Sequence, residues 1–128
     1  MADALQQAAA WLDGQRKAHA SRTVTYRRDE RSVAVAATMG RRTYEVPAAY
    51  GASMRVEAMD FIVTAADLVL AGVRTEPEAG DRICVTEGDR VQVYEVAAPA
   101  SEMNHAEAAD PYGIAWRIHT KYMGTERA

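Results

Sequence analysis

Between residues 22 and 124 apolar side chains recur at every second position, in runs broken by glycine, proline or charged clusters. A period of two belongs to extended strands, whose successive side chains point to opposite faces. Runs of this kind with hairpin-length breaks confine the chain to antiparallel β architecture. "TVTYR" sets Val24 and Tyr26 against Thr23 and Thr25; "RRDERS" is a charged turn, and "SVAVAATM" aligns Val33, Val35, Ala37 and Met39. Gly40 is expected to end that strand, "TYEV" to form a short separate one stopped by Pro47, and "PAAYGAS" to form a surface loop.

"MRVEAMDFIV" changes phase near Asp60: Met54, Val56 and Ala58 alternate first, then Phe61 and Val63 follow on the other parity. A one-residue bulge at Asp60 accounts for such a slip. Thr64 ahead of Ala65, Ala66 and Asp67 has the form of a capped helical turn. Ile83 and Val85, then Gly88-Asp89, then Val91 and Val93 make the clearest hairpin in the chain. The segment 97–113 lacks any period and is expected to be a mobile loop, and "IAWRIHTKYM" is the last strand.

Only the start departs from this rule. Residues 3–20 are helical in pattern, with Asp3 as cap and Leu5, Ala8, Ala9, Leu12 and the Trp11 shoulder forming an apolar stripe. Such a stripe suits a helix lying across a sheet or against a neighbour. Gly14 weakens its middle. The expected architecture is therefore mainly β: one domain over 1–128, with an N-terminal helix and a small antiparallel barrel or sandwich of about seven short strands over 22–124. Strands this short protect their edges by curling.

The core must be thin. Hydrophobic residues make up 48% of the 128, but alanine inflates that figure, and the aromatic set is one Phe, two Trp and six Tyr. A formal net charge of −3 gives no global attraction to nucleic acid or anionic membrane. Residues 32–98 carry six Lys/Arg against ten Asp/Glu, whereas residues 1–31 carry six against four. The lone Cys84 excludes an internal disulfide, and no apolar run approaches the roughly 20 residues of a membrane span. No signal peptide is visible, so a soluble protein made in a reducing compartment is expected.

Chemistry has little to build on. His19, His105 and His119 stand at no ligand spacing from one another or from Cys84, so neither a metal nor a cofactor is expected. The serines at 21, 32, 53 and 101 lack the base and glycine frame of a nucleophile. No phosphate-binding glycine pattern can be drawn. Two rival readings remain: a small-molecule pocket around Trp116, Tyr94 and Met39, and a hydrolase using Asp60 with His119, which requires those two within hydrogen-bond reach in a cleft.

Arg117, His119 and Lys121 alternate with Trp116, Ile118 and Tyr122 in the last strand. With the apolar set turned to the core, the basic set is the solvated partner face, or else a surface that meets an acidic partner.

At "DFIVTAADLVLAG", "EPEAGDRI", "VYEV" and "RIHTKYMG" the chain resembles the small head–tail joining, or neck, proteins of tailed phages and prophages. The likeness runs from the helix with Trp11 and His19 to the last strand. It rests on Asp60, Phe61, Asp67, Leu68, Gly80, Asp81, Arg117, His119, Thr120 and Lys121. It departs in the alanine-rich segment from Ala97 to Ala115. The resemblance implies a non-enzymatic β-barrel subunit of the virion, assembled in the bacterial cytoplasm. Copies of it would form a ring between portal or adaptor and tail-completion proteins, and DNA would pass without specific binding. Partner contact is then expected at Trp11, Arg16, His19, Arg117, His119 and Lys121, with no catalytic residues.

Overall fold

The structure, a computed structural model, describes residues 3–100 and 103–127. Among the described residues a helix, α1 (Ala4–His19), precedes nine strands. These are β1 (Arg22–Arg28), β2 (Arg31–Pro47), β3 (Ser53–Thr64), β4 (Val69–Leu70), β5 (Val73–Arg74), β6 (Arg82–Glu87), β7 (Arg90–Val96), β8 (Ala106–Ala108) and β9 (Ala115–Arg127). Seven of them form one antiparallel sheet in the order β3-β2-β1-β6-β7-β9-β8, and β4 and β5 form a separate small ladder. A further pairing of β3 with β9 brings the sheet round into a near-closed ring, although it is not formally a barrel.

Val24, Tyr26, Val35, Ala37, Phe61, Val63, Ile83, Val85, Val96 and Ile118 fill the ring, and Leu68 and Leu70 pack into the same core. The alternation read at Val24/Tyr26, Val35/Ala37 and Ile83/Val85 is thus the inward face. The β6–β7 hairpin turns at Gly88-Asp89 between the paired Glu87 and Arg90. Gly88 takes φ +64°, a left-handed value that suits the first position of a two-residue turn.

One strand is much longer than expected. β2 runs unbroken through Gly40 to Pro47, because each residue from Ala37 to Pro47 has a partner on β3, from Val63 to Ser53. β1 covers β2 only as far as Ala37, and β9 covers β3 only from Met59 to Thr64. Residues 42–47 and 53–58 therefore pair only with each other and form a two-stranded arm beyond the ring, tipped by a 3₁₀ turn at Ala49–Gly51.

The bulge expected at Asp60 is absent, since the β2–β3 and β3–β9 registers run through it without a shift. The phase change has another cause: β3 is covered on both sides there. Phe61 and Val63 face the ring interior, while Ala58 and Asp60 are buried on the opposite, outer face. The irregularity falls instead in the β7–β9 ladder, between Val93 and Tyr94. Segment 97–113 carries a short strand, β8, which pairs with Trp116–Ile118. Thr64 does not cap the 3₁₀ turn Ala65–Asp67; its hydroxyl donates to Asp13 Oδ2 at 2.6 Å.

The helix is seated the other way round from its sequence pattern. Asp3 Oδ1 accepts from the Gln6 amide at 2.7 Å, as a cap should, and Gly14 lies inside an unbroken helix. Yet Leu5, Trp11 and Leu12 are 61–73% exposed, and no α1 residue is fully buried. The half-buried side is Gln6, Ala9, Asp13, Arg16 and Lys17. Arg16 Nη1 donates to Thr38 Oγ1 at 2.9 Å and to the Ile62 carbonyl at 3.1 Å, and Nη2 donates to Thr64 Oγ1 at 3.1 Å. Lys17 pairs with Asp67, and Thr38 Oγ1 donates to the Ala20 carbonyl at 2.8 Å. Each charge-assisted bond contributes about 1.5–3 kcal/mol, comparable with the roughly 1.5–3 kcal/mol gained by burying one large apolar side chain. A fork of several such bonds competes with burial of two leucines and prevails.

Candidate functional site

The outer face of β2, β3 and β9 collects the residues singled out in the sequence. Asp60 faces Gly40 on β2 and His119 on β9, so the three strands place Asp60, Tyr44, Arg42, Arg117 and His119 on one surface. The His119 ring nitrogen Nδ1 lies 2.9 Å from Asp60 Oδ1, and the Tyr44 hydroxyl donates to Asp60 Oδ2 at 2.7 Å. The Tyr44 oxygen is also 3.1 Å from His119 Nδ1, and the two rings meet edge to face at 5.3 Å. Arg117 and Arg42 approach Asp60 Oδ2 at 3.7 and 3.9 Å, and Glu107 of β8 approaches His119 Nε2 at 3.7 Å.

The basic row of β9 is therefore not a uniform wet face. His119 is buried (2% exposed), Arg117 is half-buried, and only Lys121 is exposed, 3.7 Å from Glu95. On the other side of the strand Ile118 and Thr120 are buried but Tyr122 is exposed, since β9 leaves β3 after Thr120 and pairs only with β7 beyond it. Arg16 meets the same surface from α1, sharing the Ile62 rung with Arg117. Trp11 and His19 stay exposed on the helix.

Asp60 and His119 stand within hydrogen-bond reach, as the hydrolase reading requires, but not in a cleft. Their side chains are 4% and 3% exposed. The nearest hydroxyl, Tyr44, is no nucleophile: burial, then its hydrogen bond to Asp60, pushes its pKa up to about 12, so it stays a protonated donor. A buried acid, imidazole and phenol that satisfy one another have no water or substrate to act on. Among the described residues no buried side-chain polar atom lacks a partner, and no cluster of three or more metal-ligating side chains forms.

The small-molecule reading loses its cavity. Met39, Tyr94 and Trp116 all pack against the filled core instead of surrounding a common space. Tyr94 lines a surface depression of about 490 Å³ with Arg41, Met59 and Tyr122, whereas Trp116 lines others. Cys84 is buried, which raises its thiol pKa and keeps it unreactive. Among the described residues no helix is long and apolar enough to cross a membrane.

Tyr44, Arg42 and Glu107 are the members of this surface that sequence pattern did not supply. Each reaches Asp60 or His119 through strand register, which a single chain does not print. A search of curated proteins finds no match to the chain. Residues 2–127 match the family model described as phage head-tail joining protein, and the chain belongs to that family of structural, non-enzymatic virion proteins.

Proposed function

We propose that this chain is an adaptor subunit whose copies form a ring between the portal and the tail of a phage particle. The observation that carries the reading is the outer surface: α1 carries an exposed, uncharged face, and a two-stranded arm extends past the ring of strands. Large apolar side chains in that number on one element mark a surface that another protein covers. Head-to-tail repetition of such a contact closes into a ring when the rotation permits.

The net charge of −3 supports passage of DNA without adhesion, because each phosphate neutralised by a basic side chain adds salt-dependent affinity. Arg16, Arg28 and Arg117 are engaged with this chain's own acceptors or carboxylates. The expected partners are other copies, portal or adaptor proteins and tail-completion proteins, with contacts that include Trp11, His19 and Lys121. Electron microscopy of the parent particle tests the reading. Density for this chain at the neck supports it, and density confined to the capsid shell or the distal tail removes it.

A further inference from the structure

The helix and the arm each have one polar face and one uncharged face. All three charged residues of α1, Asp13, Arg16 and Lys17, lie on its sheet side and are paired there. The opposite side presents Leu5 at 73%, Trp11 at 63% and Leu12 at 61% exposure, with Ala8 between them and no charge. The arm is two-faced in the same sense. Its paired residues place Glu45 opposite Arg55 and Thr43 opposite Glu57 on one face, and Tyr44 opposite Val56 and Val46 opposite Met54 on the other. On that second face the only charged side chain of the arm is Arg42, at the ring end, drawn to within 3.9 Å of Asp60. Val46 on that face is buried and Tyr44 and Val56 are half-buried, so the part open to a partner is Met54, 54% exposed, and Tyr50 at the tip, fully exposed, with the half-buried edges of Tyr44 and Val56 beside them.

A free two-stranded ribbon is marginal in water and gains from a covering layer. Six paired residues span about 20 Å at roughly 3.4 Å each, and the sixteen residues of α1 span about 24 Å at 1.5 Å each. The neutral face of one therefore matches the neutral face of the other in length as well as in polarity. α1 sits on its own sheet over Thr38, Ile62 and Thr64, so its outward face turns away from its own arm and is open to another's.

We propose that the outward face of α1 is the docking site for the β2–β3 arm of a second copy of this chain. Leu5, Trp11 and Leu12 of one copy pack on Tyr44, Met54 and Val56 of the next. The contact is heterologous, so each copy gives an arm and receives one. It deepens the ring reading above and rests on it. A contact of this extent is smaller than the roughly 1,200–2,000 Å² of a stable pairwise interface, so pairs are weak and assembly sharpens with concentration.

Sedimentation of two surface variants, Leu12→Glu and Met54→Glu, tests the pairing. Both positions are exposed, so neither substitution enters the core, and circular dichroism verifies the fold. Wild type should shift to larger species toward millimolar concentration, and each variant alone should remain a monomer. An equimolar mixture should form a dimer and nothing larger, because one intact helix face then meets one intact arm. Cysteine variants Leu12→Cys and Met54→Cys should cross-link when mixed and not separately. Loss of association in Leu12→Glu with none in Met54→Glu indicates helix on helix and overturns the proposal. If wild type assembles but the mixture gives no dimer, the pairing is wrong while the ring reading stands. Wild type monomeric throughout, with no mixed cross-link, removes the pairing and weakens the ring reading as well.

Discussion

Tyr26 and Asp81 are joined between neighbouring strands inside the ring: the phenol of Tyr26, fully buried on β1, donates to Oδ2 of the Asp81 carboxylate just before β6. Arg28 Nε donates to the other oxygen at 2.9 Å, Arg28 Nη2 to Oδ2 at 2.8 Å, and the Glu78 amide to Oδ2 at 3.0 Å. Burial alone would raise the Asp81 pKa, but the hydrogen bonds from Arg28, Tyr26 and the Glu78 amide outweigh it and hold the carboxyl below its usual value of 3.8.

A carboxylate with a depressed folded-state pKa contributes stability that is complete above its unfolded value and disappears as pH falls through the folded one. Asp81→Asn should therefore cost about 3 kcal/mol at neutral pH, the order expected when one partner leaves a buried charged group behind. The gap between wild type and variant should narrow below pH 3.8. Urea denaturation from pH 7 to pH 2 measures it. A gap that is constant over the range would mean that the charge on Asp81 is not what matters.

Asp60 holds three elements together in the same manner, taking Tyr44 from β2 and His119 from β9 while sitting on β3. Asp60→Ala leaves a phenol and an imidazole without their acceptor beside two arginines, and should destabilise the fold by about 2–3 kcal/mol with an unchanged urea slope. A double-mutant cycle with Tyr44→Phe should give a coupling near 1 kcal/mol. Zero coupling would show that Tyr44 only shields the cluster.

What sequence pattern could and could not carry is visible in these same residues. Period two located the inward faces at Val24/Tyr26, Val35/Ala37 and Ile83/Val85, and the Gly88-Asp89 turn, because one-sided burial imposes alternation. It misjudged Asp60, where β3 is covered on both sides and alternation loses its meaning. It misplaces His119, which pattern groups with Arg117 and Lys121 as a solvated or partner-facing row, because burial of a polar side chain depends on acceptors from β2 and β3. Pattern alone ends a strand at Gly40, but its pairing with Asp60 carries β2 straight through.

Phe61 and Leu5 separate the inward pattern of the strands from that of the helix. Phe61 is fully buried with its ring 5.4 Å from that of Tyr94, and Phe61→Ala should cost about 3–5 kcal/mol. Leu5, part of the best apolar stripe in the sequence, is 73% exposed, and Leu5→Ala should change monomer stability by less than about 0.5 kcal/mol. Thermal or urea denaturation at low protein concentration compares the two. A large loss from Leu5→Ala would place that face of α1 inside the monomer.

Arg16 decides whether α1 stays on the sheet. Its guanidinium is shared among Asp13 Oδ1 at 3.0 Å through Nε, Thr38 and the Ile62 carbonyl through Nη1, and Thr64 through Nη2. No single lysine ammonium reproduces a planar fork with donors aimed in three directions. Arg16→Lys should weaken the seat and Arg16→Ala should loosen it further, because the ties that remain, Thr64 to Asp13, Lys17 to Asp67 and Thr38 to Ala20, are single contacts and none is a fork. Hydrogen exchange resolves this locally, since amides of α1 open independently of the ring when the seat is lost. In Arg16→Ala the α1 amides should exchange at least tenfold faster than in wild type, while amides of Phe61 and Ile118 keep their protection. Unchanged exchange in α1 would mean that the apolar residues, and not this polar fork, hold the helix.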